Sequence, residues 1–161
     1  MCLWTLILLI QMLFPGGSRD HRDGNSGQPL QMQLRAVPDR QVRDQASVEE
    51  CLKIIESVRE GIGNANLARF APSLGSQVLI DLRGSESGYY SAGQAYYLLE
   101  DHFRSRKVLS VKFDTVREND PMPYATGTIL YNLKGLRERA QIYVSLEKSE
   151  GKWVIAQVKI Y

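Results

Sequence analysis

At 161 residues, with 43% hydrophobic and 24% charged side chains, the chain has the length and composition of one globular domain rather than of a fibrous or disordered polymer. Twenty Lys and Arg against eighteen Asp and Glu leave a formal charge of +2, which excludes the basic footprint of a nucleic-acid-binding domain.

The first element is Cys2 to Phe14, "CLWTLILLIQMLF", an apolar run with no charged residue before Arg19. A membrane-spanning helix needs roughly 20 such residues, so the run matches a signal-peptide core better. Pro15, Gly16 and Ser18 supply a helix breaker and small residues, and cleavage is expected after Ser18, although no basic residue precedes the run. The alternative, a buried N-terminal helix, lacks caps and a polar face. Cys2 lacks the small residues before it that a lipid-anchored cysteine needs. Residues 1–18 are therefore expected to be a leader and the protein to be exported, periplasmic or extracellular. Removal would leave Cys51 as the sole thiol, excluding an internal disulfide and casting it as a small buried hydrophobe. Residues 19–46, rich in Asp, Arg, Gln, Gly and Pro, read as a flexible linker, and 47–161 as the folded domain.

In "SVEECLKIIESVREGIG", Val48, Cys51, Leu52, Ile55, Val58 and Ile62 recur at helical steps. Ser47 and Glu50 form a capping box, and Gly61 with Gly63 offers a stop. A short second helix is expected from Asn64 to Phe70, limited by Pro72. "QVLIDLRG" alternates as a strand, with Val78, Ile80 and Leu82 on one face and Asp81 on the other. Gly84 to Gly88 reads as a loop. Ser91 and Gln94 then make a second capping box, opening a helix with Ala92, Ala95, Leu99 and Phe103 inward and Leu98 and His102 at the margin.

Four strands follow. Leu109, Val111 and Phe113 alternate with Ser110, Lys112 and Asp114. Tyr124 to Lys134 is β-rich, with Gly127 a bulge or a point of close approach. "RAQIYVSLEK" puts Ala140, Ile142, Val144 and Leu146 in and Gln141, Tyr143 and Ser145 out, before a tight "SEGK" turn. In "KWVIAQVKIY", Trp153 and Ile155 share one phase and Val158 and Ile160 the other, which a bulge near Ala156 and Gln157 reconciles. The order α-α-β-α-β-β-β-β implies an α+β fold, three helices on one face of a curved, mainly antiparallel sheet.

Taken together, "REGIGNANLARFAP", "VLIDL", "YYSAGQAYYLLEDHF" and "GKWVIAQVKI" resemble the nuclear transport factor 2-like superfamily, a cystatin-like α+β cone, over Ser47 to Tyr161. The tyrosine-rich helix is the most specific match. Within the superfamily the chain is most similar to small exported proteins of Bacteroidota defined only by a domain of unknown function. The resemblance implies a cone with an interior pocket and brings no established activity.

Isomerases, cyclases and dehydratases of this superfamily use an Asp or His base with a Tyr or acid partner, so the weak catalytic candidates are Asp81 and His102, with Asp114 and Tyr143 behind them. Asp81 is out of phase with the inward residues of its strand, and a lone histidine at a helix margin is more often a boundary residue. Tyr96, Leu99, His102 and Phe113 are the ligand-pocket candidates. Tyr131, Tyr143 and Trp153 are expected on an outer sheet face, where members of the superfamily dimerise. No cofactor or metal is expected: His21 lies in the linker, and no phosphate loop, serine elbow or HExxH motif occurs. The leading expectation is a non-enzymatic exported domain binding a small apolar ligand or a protein partner, as a homodimer, with no nucleic acid and no membrane span after leader cleavage. The alternative is a small isomerase- or cyclase-like enzyme working from Asp81 or His102.

Overall fold

A computed structural model describes residues 39–161; the expected leader, the linker up to residue 38, Cys2 and His21 lie outside the described residues. Helix α1 spans Asp39–Gly63. Two single 3-10 turns, Leu67–Arg69 and Ala71–Ser73, lead into β1 (Leu74–Leu82), followed by β2 (Ser87–Ser91) and α2 (Ala92–Arg104). Strands β3 (Arg106–Arg117), β4 (Tyr124–Leu133), β5 (Leu136–Ser149) and β6 (Lys152–Ile160) complete the chain. They form one six-stranded sheet ordered β2-β1-β6-β5-β4-β3, antiparallel except where β1 runs parallel to β6.

Among the described residues two α-helices rather than three cover the sheet. The segment expected as the second helix forms only the 3-10 turns, because Ala65 takes a left-handed backbone (φ 54°) and Pro72 stands in the following turn. Helix α1 begins at Asp39 rather than Ser47, inside the segment read as linker. Residues 41–46 are exposed, so their polar composition reflects the absence of burial and not the absence of a helix. Ser47, expected as a cap, is internal to α1, and its Oγ instead accepts a 2.8 Å hydrogen bond from Trp153 Nε1 on β6. Leu52, expected in the buried stripe, is exposed, and Ile54 takes the inward position. The expected loop Gly84 to Gly88 ends in β2, whose pairing of Val78 with Tyr90 and Ile80 with Gly88 builds a short edge strand running directly into the α2 cap. That cap is as expected: Ser91 Oγ accepts from the Gln94 amide, and the Gln94 side chain accepts from the Ser91 amide at 3.1 Å.

One face of the sheet is sealed. Val78, Ile80, Ile129, Ile142, Val144 and Val158 are all buried beneath Cys51, Val58 and Ile62 of α1 and Ala95 and Leu99 of α2. Burial pushes the Cys51 thiol pKa up to about 11, aided by the charge of Glu50, so it behaves as a core hydrophobe. The bulge in β6 lies at Ala156: Ser145 pairs with Gln157 but Leu146 with Ile155, which keeps Ile155 and Val158 on the same buried face. Strand β3 carries extra residues at Leu109 and Asp114, so Leu109 is exposed and the expected stripe through it is interrupted. Ser145, expected outward, pairs with Tyr124 and Gln157 in that phase but is fully buried in the middle of the sheet.

Gly127 is the point of close approach. A Cβ built there would overlap the Lys112 carbonyl oxygen and lie 2.7 Å from Phe113 Cα, both backbone atoms beside the Asp114 bulge. The β4–β5 and β5–β6 hairpins turn through Lys134–Gly135 and Glu150–Gly151, all four residues at positive φ, as two-residue type I′ turns require.

Leu99→Ala is expected to lower stability by about 2 to 5 kcal/mol in chemical denaturation, as a fully buried large-to-small change. Gly127→Ala should cost at least ~1 kcal/mol, because strand backbone rather than a flexible side chain must move. A negligible loss at Leu99 would mean that α2 presents a different face to the sheet.

Candidate functional site

Because the interior of the cone is packed with aliphatic side chains, its polar groups gather at one rim, where the last turn of α2 meets the start of β3 and the β4–β5 hairpin. His102 and Phe103 end the buried face of α2. Arg106 begins β3 and donates from Nη1 back to the His102 carbonyl oxygen, tying strand to helix. Its guanidinium carbon stands 5.8 Å from the centre of the Tyr131 ring on β4. Counting outward from the Lys134–Gly135 turn pairs Tyr131 with Glu138 across the hairpin, and the tyrosine hydroxyl donates to Glu138 Oε2 at 3.2 Å.

Two recesses flank this junction. The smaller, about 310 Å³, is lined by Arg83, His102, Arg106, Tyr131 and Glu138 with Gly84, Ala140 and Ile160. The larger is an open cleft of about 770 Å³ between the end of α1, α2 and the β4–β5 turn. Leu67, Tyr96, Phe103 and Val108 give it apolar surface, and Glu100, Arg104, Arg106, Lys107 and Lys134 give it charge. Arg106 lines both.

His102 is 7% exposed, and its pKa is lowered from 6.5 to about 4, by burial first and the nearby Arg106 charge second, with Asp101 opposing. The imidazole is neutral at neutral pH and poorly matched to proton transfer there. Asp81 lies on the other face of the sheet, beside Ser87 in β2 and Lys159 in β6, away from His102. Asp114 is exposed at its bulge, held 3.1 Å from Lys112 Nζ. The two catalytic candidates therefore share no site.

The four ligand-pocket candidates are likewise separated. Tyr96 lines the large cleft and His102 the small recess. Leu99 is wholly buried core, and Phe113 faces a shallow groove against Leu52 and Ile55 of α1. The outer aromatic trio also divides. Tyr131 is buried on the inner face with Ile129, because its phase along β4 follows Ala125 and Gly127. Trp153 is inward too: two residues before Ile155 and ahead of the Ala156 bulge, it shares the face of Ile155, bonds Ser47 on α1 and lies 5.3 Å beneath Lys148 Nζ. Tyr143 alone is outward, stacked on Tyr124 at 5.7 Å with Lys159 Nζ 5.9 Å from its ring.

Arg83, Arg106, Lys107, Lys134 and Glu138 were not singled out by sequence reasoning. The two-residue Lys134–Gly135 turn was the available signal for Glu138, since it sets the register opposite Tyr131. Among the described residues no group of three His, Cys, Asp or Glu side chains could hold a metal ion.

The model of a family described as "Domain of unknown function (DUF4783)" matches residues 55–161. A DUF4783 protein from Bacteroides uniformis superposes with a TM-score of 0.59 at 19% identity, covering 65% of this chain and 93% of that one. A designed protein of the nuclear transport factor 2 type gives 0.56 at 18% identity over 74% and 99%. An epoxide hydrolase-like protein of M. tuberculosis gives 0.54 at 15% over 70% and 82%. At these identities the likeness is one of fold, the nuclear transport factor 2-like cone. No curated protein matches the chain.

The His102 resonance in NMR is expected to titrate near pH 4. Since the unfolded imidazole binds its proton near 6.5, stability contributed by the neutral folded form is fully present above that pH and lost as pH falls from about 6.5 to about 4. The loss is on the order of 3 kcal/mol, and His102→Gln should flatten that slope. Titration near 6.5 would show the ring to be solvated.

Proposed function

We propose, from the premise that this chain belongs to the DUF4783 family, that it is a non-enzymatic exported domain that binds a small ligand with an apolar body in the cleft at the rim of the cone. The observation that carries the reading is the filled interior. Among the described residues Ile80, Leu99, Ile129, Ile142 and Val158 are buried in one core, and the cleft at the mouth, about 770 Å³, has the size of a small-molecule site and an apolar wall of Tyr96 and Phe103.

The enzyme alternative is less well supported. Proton transfer needs a tuned base and an oxyanion donor aimed at one point. Asp81 is on the far face of the sheet, and the pKa of His102 is too low for an effective base near neutrality. The M. tuberculosis protein shows that the fold can be found in a molecule described as an epoxide hydrolase, but that description belongs to that protein.

Self-association stays in the proposal in a reduced form, through the outer sheet face around Tyr143 and Tyr124, since Tyr131 and Trp153 are committed to the inner face. Native mass spectrometry of the chain expressed with its leader in a bacterial host tests each part. The expected spectrum shows a species lacking residues 1–18, dimeric, with a retained small molecule released on denaturation. Tyr143→Glu should convert the dimer to monomer without unfolding it. Retention of the leader would remove export, a monomer at high concentration would remove the dimer, and a protein that neither retains nor takes up any small apolar compound would remove ligand binding.

A further inference from the structure

We propose that the rim cleft takes a small amphipathic organic acid, its carboxylate held by Arg106 with Lys107 and Lys134 and its apolar body lying on Tyr96 and Phe103. The proposal rests on the ligand-binding reading above and names the class of ligand.

The cleft is lined by four cations, Arg104, Arg106, Lys107 and Lys134, against one carboxylate, Glu100. Arg104 is already engaged, 3.1 Å from Asp101 Oδ1 and 3.8 Å from Glu100 Oε2. Among the described residues the other three have no ion-pair partner. A surplus of positive charge on the wall of a concave surface favours an anionic occupant, and it does so more strongly than on open surface because the cleft excludes part of the solvent.

Arg106 supplies an independent observation. It is half-buried, its Nη1 is used by the His102 carbonyl, and among the described residues its buried Nε has no hydrogen-bond partner. Buried donors are almost always satisfied, so this guanidinium N–H is left to a water molecule or to a ligand that reaches Arg106 from a recess it lines. A carboxylate, with two oxygens in one plane, matches the guanidinium fork better than a neutral hydroxyl does. Among the described residues no side chain supplies that acceptor: His102 and Glu138 line the smaller recess, and Glu138 is bonded to the Tyr131 hydroxyl. Lys134 is held at the cleft edge by its tight turn, its backbone at φ 51° next to Gly135. The aromatic and aliphatic lining argues against a bare inorganic anion, which would leave the half-buried Tyr96 and Val108 uncovered.

The test is an NMR titration of the full chain with decanoate, 1-decanol and acetate, each below its micellar or solubility limit. Decanoate is expected to shift the amides of Tyr96, Phe103, Arg106 and Lys107 and to bind roughly tenfold or more tightly than decanol or acetate. Lys107→Glu with Lys134→Glu, both on exposed positions, should weaken decanoate by about tenfold and leave decanol unchanged. Arg106→Gln should do the same if it folds, and the lysine pair decides the matter if it does not. Equal binding of decanoate and decanol, or decanoate binding indifferent to the double charge reversal, overturns the acid-binding proposal while ligand binding stands. Acetate as tight as decanoate overturns the amphipathic part. If none of the three perturbs the cleft, both the acid proposal and the ligand reading it rests on fall.

Discussion

The structure depends on the placement of its last strand. Strand β6 lies between β1, its parallel neighbour, and β5, so it alone joins the β1–β2 edge to the β3–β4–β5 meander. A strand paired on both sides and covered by helices must keep its apolar residues on one face throughout. The spacing from Ile155 to Val158 breaks the two-residue alternation, and the extra residue at Ala156 restores it. The bulge therefore lets the C-terminal strand close the sheet beneath both helices.

Sealing that face pushes polar chemistry to the rim. Leu99, Ile129, Ile142 and Val158 occupy the volume that a deep pocket would need. The widest recess described lies where α2 ends and β3 begins. There, helix, strand and hairpin converge within a few residues, and Arg106, bonded back to the His102 carbonyl, fixes their junction. One side of the junction is the recess with a neutral imidazole and the Tyr131–Glu138 pair; the other is the wider, cationic cleft. This division explains why the residues expected to share one pocket do not. Tyr96 and His102 line different recesses on different flanks of α2, and Leu99 between them in sequence is core.

The elements whose residues carry local instructions were legible. Ser91 and Gln94 cap α2 reciprocally, Gly127 marks a contact that no side chain can enter, and the out-of-phase halves of the last strand announce the Ala156 bulge. Misreadings arose where one local signal had two physical outcomes. Ser47 has the spacing of a capping residue, but a hydroxyl within a helix can equally accept from a distant indole, as it does from Trp153. The polar composition of residues 41–46 spoke to exposure, which a solvated helix satisfies as well as a linker. Tyr131, expected outward, shares the phase of Ala125, Gly127 and Ile129.

The sequence by itself determined the α+β class, the capped amphipathic α2 and the alternating inner face of β5, because each rests on periodicity or on contacts between residues a few positions apart; four segments besides resemble the nuclear transport factor 2-like cone. The family match and the fold of the solved relatives agree with that resemblance. Only the tertiary structure decided that the cone is filled, that Asp81 and His102 lie on opposite faces of the sheet, and that Tyr96, Phe103, Arg106, Lys107 and Lys134 line one cleft. The physical reason is that charge and cavity at the rim arise from elements joined through long-range pairing. Lys134 and Tyr96 line a common space because a hairpin turn and one flank of α2 meet there, and no short-range pattern in the chain encodes that meeting.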